Sequence, residues 1–158
     1  MQTIWITGGS SGIGFATAKE FINNNWQVVI SSSNKIKLES AKKKLELNNN
    51  KNLVHAIVCD ISSKNNVDET INSIEKNIGK IDIALLNASA YSPNKNQIFD
   101  ISNYELLVDV NIKGTLYCVN KLKDVMKNRN NTIAIISSPL GYRGCLLYTS
   151  DAADDDVR

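Results

Sequence analysis

The stretch Thr7-Gly8-Gly9-Ser10-Ser11-Gly12-Ile13-Gly14 decides how this chain folds, and it lies close to the N-terminus. An apolar run at residues 3–7 precedes it, and apolar residues at helical spacing follow it. Glycine here lets the chain turn sharply and lets a pyrophosphate approach the backbone closely. The free N–H groups and the dipole of the following helix attract phosphate. The pattern predicts a nucleotide-binding turn between a strand and a helix, and the alternative is a simple tight turn.

The glycine spacing of this turn is Gly-x-x-x-Gly-x-Gly, which differs from the commoner Gly-x-Gly-x-x-Gly. It is not a P-loop, because no Gly-Lys-Ser/Thr follows. The residues of the turn that we predict to contact the ligand are Gly8, Ser10, Ser11, Gly12, Ile13 and Gly14.

Apolar runs and helical patterns alternate along the rest of the chain. The apolar runs lie at residues 3–7, 28–30, 53–58, 81–86 and 132–136. Helical spacing separates them, with the longest helical stretch predicted at 102–127 and another at 35–47. Continuous apolar strands joined by helices are typical of a parallel sheet covered on both faces. The predicted fold class is α/β, a Rossmann-like doubly wound parallel sheet that is truncated after the fifth strand.

The composition argues against several classes of protein. The formal charge of the 158 residues is +2, which is too small to favour nucleic acid or an anionic membrane as a partner. No apolar run approaches the length of a membrane span, and the N-terminus does not resemble a signal peptide. Cys59, Cys118 and Cys145 show neither metal-ligand spacing nor a paired framework. We therefore expect a cytoplasmic protein with no metal site.

Further polar residues and turns lie at the ends of the later strands. Asp60 and Ile61 follow the third strand, and Leu86-Asn87-Ala88-Ser89 ends the fourth. Asn111 lies in the long helical stretch, and Ser138 follows the fifth strand. At these positions and in the glycine turn, residues 1–144 resemble the short-chain dehydrogenase/reductase family. The first and last residues of the turn at 86–89 depart from that family's Asn-Asn-Ala-Gly.

The resemblance implies an NAD(P)-dependent oxidoreductase that interconverts an alcohol and a carbonyl of a small-molecule substrate by hydride transfer. In the family, the residue matching Asp60 hydrogen-bonds the adenine ring, and the turn matching Asn87-Ala88 passes over the adenosine ribose. The residue matching Asn111 bends its helix and holds a water of the proton relay, and the one matching Ser138 holds the substrate oxygen. Relatives are often dimers or tetramers through the helix of Asn111, so we expect a homo-oligomer.

The family's catalytic Tyr-x-x-x-Lys pair is missing where the resemblance implies it. A phenol needs a neighbouring cation to act near neutral pH, but positions 151 and 155 are both Asp. The chain as written is therefore predicted to be inactive. Two pairs, Tyr91–Lys95 and Tyr117–Lys121, fit the spacing literally, but both precede Ser138 and we interpret them as chance.

The composition of the chain changes near Gly144. Residues 1–144 hold 21 Asn and 15 Lys, whereas residues 145–158 hold neither. The run Cys145-Leu-Leu-Tyr-Thr-Ser-Asp-Ala-Ala-Asp154 also resembles one reading frame of a transposon-type sequencing adapter. We therefore expect residues 1–144 to be an incomplete NAD(P)-binding domain and residues 145–158 to be a non-native tail. The alternative is a genuine acidic tail on a truncated paralogue.

The segment after the second strand bears on the choice of cofactor. An acidic residue there is typical of NAD binding, and a basic residue favours the 2′-phosphate of NADP. The segment 31–35 holds no carboxylate, which favours NADP over NAD. Against this, Ser33 stands where an Arg would bind the 2′-phosphate, and Ser11 is not basic either. Two other functions remain open. One is a non-catalytic dinucleotide-sensing domain, and the other is an epimerase or dehydratase on the same fold, against which Ser138 and Asn111 argue.

Overall fold

The computed structural model describes residues 1–47, 52–91 and 100–138. Strands and helices alternate along them. The strands are β1 Thr3–Thr7, β2 Gln27–Ser32, β3 Val54–Val58, β4 Ile81–Leu86 and β5 Thr132–Ile135. The helices are α1 Gly12–Asn23, α2 Lys35–Leu45, α3 Lys64–Asn77, α4 Ile101–Leu107 and α5 Thr115–Val125, with a π-helical segment Val108–Gly114 between α4 and α5. Strands β1 and β4 have the bounds that their apolar runs predict.

The five strands of the described residues form one parallel sheet in the order β3-β2-β1-β4-β5. The chain moves outward from β1 to β3 and then returns to place β4 on the other side of β1. Thr7 is in register with both Ser31 and Leu86, so the carboxyl ends of β2, β1 and β4 meet at one edge. In open α/β sheets, ligands bind outside this edge, where the strand order reverses. The prediction of a Rossmann-like α/β sheet is confirmed.

Helices cover both faces of the sheet, and a separate apolar core lies on each. Trp5 and Val29 point to one face, where they pack with residues of α3 and α5. Ile4, Ile6 and Val28 point to the other face, where they pack with residues of α1 and α2. Neighbouring strand residues alternate between the two cores, as the pleat of a strand requires. This explains why the central strands read as continuous apolar runs.

The long helix predicted over residues 102–127 is divided into three parts in the structure. The π-helical segment interrupts it, and Asn111 lies within that segment. The Asn111 side chain hydrogen-bonds the backbone of Ala90, and the Thr115 hydroxyl donates to the Asn111 carbonyl at 3.0 Å. Widened turns of this kind are frequent at functional sites and leave no trace in apolar spacing. Within the described ranges, no helix is both long enough and apolar enough to cross a membrane.

The two cysteines of the described residues lie in the core between the sheet and α3 and α5. Burial, with a smaller contribution from Cys59, raises the pKa of the Cys118 thiol to about 12. Burial also raises the pKa of Cys59. Both thiols are therefore neutral in the folded protein at physiological pH.

Alkaline pH is expected to destabilise the fold through Cys118. Above about pH 8.5 a thiol ionises in the unfolded chain, whereas Cys118 stays protonated in the folded protein. The free energy of unfolding should therefore fall with rising pH, by about 1.4 kcal/mol per pH unit for this thiol. Urea denaturation of the wild type and of Cys118→Ala, followed between about pH 9 and 11, measures this slope. Equal slopes for the two proteins would contradict the assignment.

Candidate functional site

A cleft of about 420 Å³ lies between the turns that follow β1 and β4, at the carboxyl edge of the sheet. Of the residues predicted to bind a cofactor, ten line the cleft: Gly8, Ser10, Ser11, Gly12, Ile13, Ser33, Asp60, Ile61, Asn87 and Ala88. Gly14 does not line it and lies buried beneath the turn. The other lining residues were not predicted to bind a cofactor: Ser32, Asn34, Lys37, Cys59, Ser89 and Val110.

The first turn of α1 has no side-chain cap. Ser11 occupies the N-cap position in an extended conformation, and its hydroxyl makes no capping hydrogen bond. By contrast, Asn34 caps α2 by accepting from Lys37 N at 2.9 Å, and Ser63 caps α3 by accepting from the backbone of the third helical residue. The start of α1 thus keeps N–H groups for an outside acceptor, and its dipole favours an anion there.

Two glycines of the turn are required by close packing. Gly8 has a φ of +65°, and a Cβ on it would lie 2.8 Å from Ala88 Cα. A Cβ on Gly14 would lie 2.7 Å from Gly8 O and 2.6 Å from Asn87 Nδ2. The turn after β1 therefore packs directly on the turn after β4.

Thr7, the last residue of β1, links these two turns. Its hydroxyl oxygen accepts from the backbone N–H groups of Asn87 and Ala88, both at 3.0 Å. The Asn87 amide donates in turn to the carbonyls of Thr7 and Gly8, at 3.1 and 3.2 Å. Asn87 therefore braces the glycine turn. Thr7 was not among the predicted site residues, because a threonine that ends a strand carries no signal of its own.

Replacing Thr7 by valine is expected to lower the free energy of unfolding by about 1–3 kcal/mol, because two backbone N–H groups lose their acceptor. Thr7→Ser keeps the hydroxyl and should retain most of that stability. Urea denaturation of both variants and of the wild type measures the difference. If Thr7→Val, which keeps the methyl group and loses only the hydroxyl, is as stable as the wild type, the hydroxyl does not hold the turns together.

Asp60 and Ile61 form the wall of the cleft after β3. One oxygen of Asp60, Oδ1, accepts from Ser62 N at 3.0 Å and from the Ser62 hydroxyl at 2.7 Å. The cap of α3 is Ser63, so Asp60 is not the helix cap that would be its ordinary role at this position. Asp60 is exposed beside the cleft, and this turn holds its carboxylate in place.

The loop after β2 forms another part of the wall, with Ser32, Ser33, Asn34 and Lys37. Asn34 N donates to Ser32 Oγ at 3.3 Å, which orders the start of α2. Lys37 is the only cation among the lining residues, and Asp60 is the only carboxylate. Lys37 was not predicted, because it lies beyond the segment 31–35 that follows β2, in the first turn of α2.

Asn111 does not line the cleft, but it holds the segment that leaves it. Its Oδ1 accepts from Ala90 N at 2.8 Å, and its Nδ2 donates to Ala90 O at 3.0 Å. The single amide side chain of Asn111 therefore pairs with both the N–H and the carbonyl of Ala90. Asn111 thereby ties the π-helical segment to the chain just after Asn87-Ala88, at the same edge of the sheet.

The comparison with known families decides what kind of protein this is. The model of the short chain dehydrogenase family matches residues 2–152, and the match ends inside the segment 145–158. The chain belongs to the short-chain dehydrogenase family. Family members use a nicotinamide dinucleotide, NAD or NADP. The cleft lies outside the carboxyl edge of the sheet where the strand order reverses, which is the position at which open α/β sheets bind ligands.

Curated members of the short-chain dehydrogenase family match most of this chain. It is 30% identical over 152 residues to an uncharacterized oxidoreductase of Staphylococcus saprophyticus, and the match covers 94% of this chain and 64% of that protein. It is 30% identical over 149 residues to the 3-ketodihydrosphingosine reductase of Mus musculus, and the match covers 92% of this chain and 45% of that protein. The chain therefore spans about half to two thirds of the length of these relatives.

Solved structures of the family share the fold. A short-chain dehydrogenase/reductase of the glucose/ribitol dehydrogenase type from Brucella melitensis matches with a TM-score of 0.82 at 21% identity, over 92% of this chain and 60% of that one. The serine dehydrogenase of Escherichia coli matches with a TM-score of 0.77 at 22% identity, over 91% and 65%. At these identities the likeness concerns the fold alone.

Several positions considered for the catalytic Tyr–Lys pair lie outside the described residues. Ser138 is exposed just after β5, and Ile136 N donates to Leu86 O, so the two strand ends lie at the same edge. Lys95 and positions 151 and 155 lie outside the described residues. Tyr117 packs against the core of α3 and α5 and not at the cleft, which agrees with reading Tyr117–Lys121 as chance. No group of metal-ligating side chains is present in the part of the chain that is described.

Proposed function

We propose that the intact protein is an NAD(P)-dependent oxidoreductase that interconverts an alcohol and a carbonyl of a small molecule. One observation carries this proposal: the uncapped start of α1 faces a cleft at the point where the strand order reverses, inside a short-chain dehydrogenase fold. A bound dinucleotide supplies or accepts the hydride, and the protein binds and orients the reactants.

The residues of the cleft fit the parts of a dinucleotide. The N–H groups at Gly12 and Ile13 would bind the pyrophosphate, because no side chain caps them. Asp60, held by Ser62, would accept from the adenine amine through its carboxylate. The turn at Asn87 and Ala88 would lie over the adenosine ribose. The hydroxyl of Thr7 holds this turn in place by accepting from its two backbone N–H groups.

Ser138 and Asn111 are proposed for the reaction itself. The Ser138 hydroxyl would donate to the substrate oxygen as charge develops on it. Asn111 would keep the segment after β4 and the π-helical segment in register, beside the path along which protons leave the site. The phenol and the lysine that would complete the site are proposed to lie in the native sequence that residues 145–158 replace.

We propose NADP over NAD as the preferred cofactor. The loop after β2 offers hydroxyls from Ser32 and Ser33 and the ammonium group of Lys37, and none of the lining residues of this loop is acidic. An ammonium group attracts the negative charge of the 2′-phosphate of NADP. A carboxylate instead accepts a hydrogen bond from the free ribose hydroxyl of NAD.

We also propose that the intact protein is a cytoplasmic homo-oligomer. Six apolar side chains along α4, the π-helical segment and the start of α5 are 41–60% exposed: Ile101, Tyr104, Leu106, Val108, Ile112 and Leu116. An exposed apolar stripe of this kind favours burial against a second copy. Light scattering of the wild type and of Leu116→Glu tests this, with a smaller species expected for the variant. A monomeric wild type would refute it.

The activity is tested on the protein encoded by the complete gene. A long DNA read across the codon of Gly144 first establishes the native sequence, and continuation into a Tyr-x-x-x-Lys would agree with the proposal. Oxidation of NADPH is then followed with a panel of small carbonyls. We expect turnover that falls about 100-fold or more in Ser138→Ala, with NADPH binding unchanged. NADPH binding without turnover on any substrate, in a protein whose native sequence lacks the pair, would refute catalysis.

A further inference from the structure

A second cavity lies between α1 and α2, on the side of these helices away from the dinucleotide cleft. It has a volume of about 250 Å³. The accessible apolar surface comes from the half-buried Phe15 of α1 and from Leu47, because Ile22 of α1 and Leu45 of α2 line the cavity but are buried. Leu47 lines the cavity and is 65% exposed, which is unusual for a large apolar side chain. The cavity therefore exposes apolar surface to water, and covering that surface with an apolar ligand would be favourable.

The charged residues of this cavity are of one sign. Lys19 of α1 and Lys44 of α2 both line it, and no carboxylate of the described ranges does. Neither ammonium group forms an ion pair within the described residues, since the nearby Glu46 pairs with Lys42. The dipole of α2 favours a cation in its last turn, which accounts for Lys44 alone. It does not account for Lys19, which lies in the middle of α1 and faces the same cavity.

We propose that this cavity binds a small anionic amphiphile, a single alkyl chain with a carboxylate head. The alkyl chain would lie on Phe15 and Leu47. The carboxylate would lie between the ammonium groups of Lys19 and Lys44. The cavity is smaller than the roughly 300–1,000 Å³ typical of drug-sized ligands, which favours a short flexible chain over a ring system.

The position of the cavity connects it to the dinucleotide cleft. Phe15 N donates a hydrogen bond to Ser11 O, so Phe15 belongs to the first turn of α1. The start of this helix faces the dinucleotide cleft. Lys44 and Leu45 belong to α2, whose first turn carries Lys37. An amphiphile bridging α1 and α2 would therefore change the affinity for the dinucleotide, and the dinucleotide would change its affinity equally. This coupling rests on the proposed function, but binding of the amphiphile does not.

Calorimetric titration of the full-length protein with decanoate tests the binding. We expect one saturable site, about tenfold weaker in the double variant Lys19→Gln/Lys44→Gln. Lys43→Gln is the matched control, because Lys43 is an exposed neighbour on α2 that does not line the cavity. The neutral decanol should bind more weakly than decanoate to the wild type. Equal weakening in Lys43→Gln, or no saturable binding of decanoate by the wild type, would overturn the proposal.

Two further measurements separate the competing explanations. Decanoate that NADPH fully displaces would be bound in the dinucleotide cleft, and the second site would be refuted. Binding to vesicles of anionic phospholipid in place of free decanoate would assign the lysines to a membrane surface and also refute it. If NADPH does not bind at all but decanoate does, the proposed function fails and the amphiphile site stands.

Discussion

Replacing Gly14 by alanine is expected to destabilise the protein and to abolish tight binding of the dinucleotide. A Cβ there would lie 2.7 Å from Gly8 O, and the backbone on that side cannot move without displacing the glycine turn. Overpacking of this kind costs about 1–3 kcal/mol, and occasionally more. Because the turn also presents the N–H groups of α1, we expect NADPH affinity to fall at least about tenfold.

Gly12→Ala is the matched control for this prediction. Gly12 lines the cleft, and a Cβ on it would have no described neighbour within 4 Å. Its φ of +54° costs an alanine roughly 1–2 kcal/mol. The variant should therefore lose dinucleotide affinity with a smaller loss of stability than Gly14→Ala. Urea denaturation and NADPH titration separate the two effects, and wild-type stability of Gly14→Ala would contradict the packing of the turn.

Replacing Lys37 by alanine is expected to weaken NADPH binding by about 10–100-fold while leaving NADH binding nearly unchanged. Among the described residues, Lys37 is the only cation that lines the cleft, and it lies in the first turn of α2 near Ser33. An ammonium group gains a charge-assisted hydrogen bond to a 2′-phosphate that NADH does not offer. Titration of both cofactors into the wild type and the variant measures the difference.

Lys35→Ala controls for the general loss of positive charge. Lys35 begins α2 and is exposed, but it does not line the cleft. Its substitution should leave the preference between NADPH and NADH as it is. If Lys37→Ala weakens both cofactors equally, Lys37 does not read the 2′-phosphate, and the proposed preference for NADP loses its support.

The fold could be predicted from the sequence because its signals are local and repeated. Strands β1 and β4 are apolar on both faces, so their runs stand out with the correct bounds. The glycine turn predicts a close approach of backbone, and the positions of Gly8 and Gly14 against Asn87 and Ala88 explain why those glycines are there. Helix ends were less predictable, since α2 ends at Leu45 and the pattern continues to Leu47.

The parts of the site that sequence reasoning missed depend on contacts between distant segments. Thr7 acts on residues 80 and 81 positions later in the chain, and nothing near it in sequence indicates that. The π-helical segment around Asn111 is set by hydrogen bonds to Ala90 and not by apolar spacing. Lys37 is one of five lysines of α2, and the sequence alone does not distinguish the one that lines the cleft.

The most direct test of the account is a titration of the full-length protein with NADPH, followed by the backbone amide NMR shifts. We predict saturable shifts concentrated in the glycine turn and the first turn of α1, at Asp60 and Ile61, and at Asn87 and Ala88. Shifts confined to another surface, or none at all, would contradict the claim that the cleft at this edge of the sheet holds the dinucleotide.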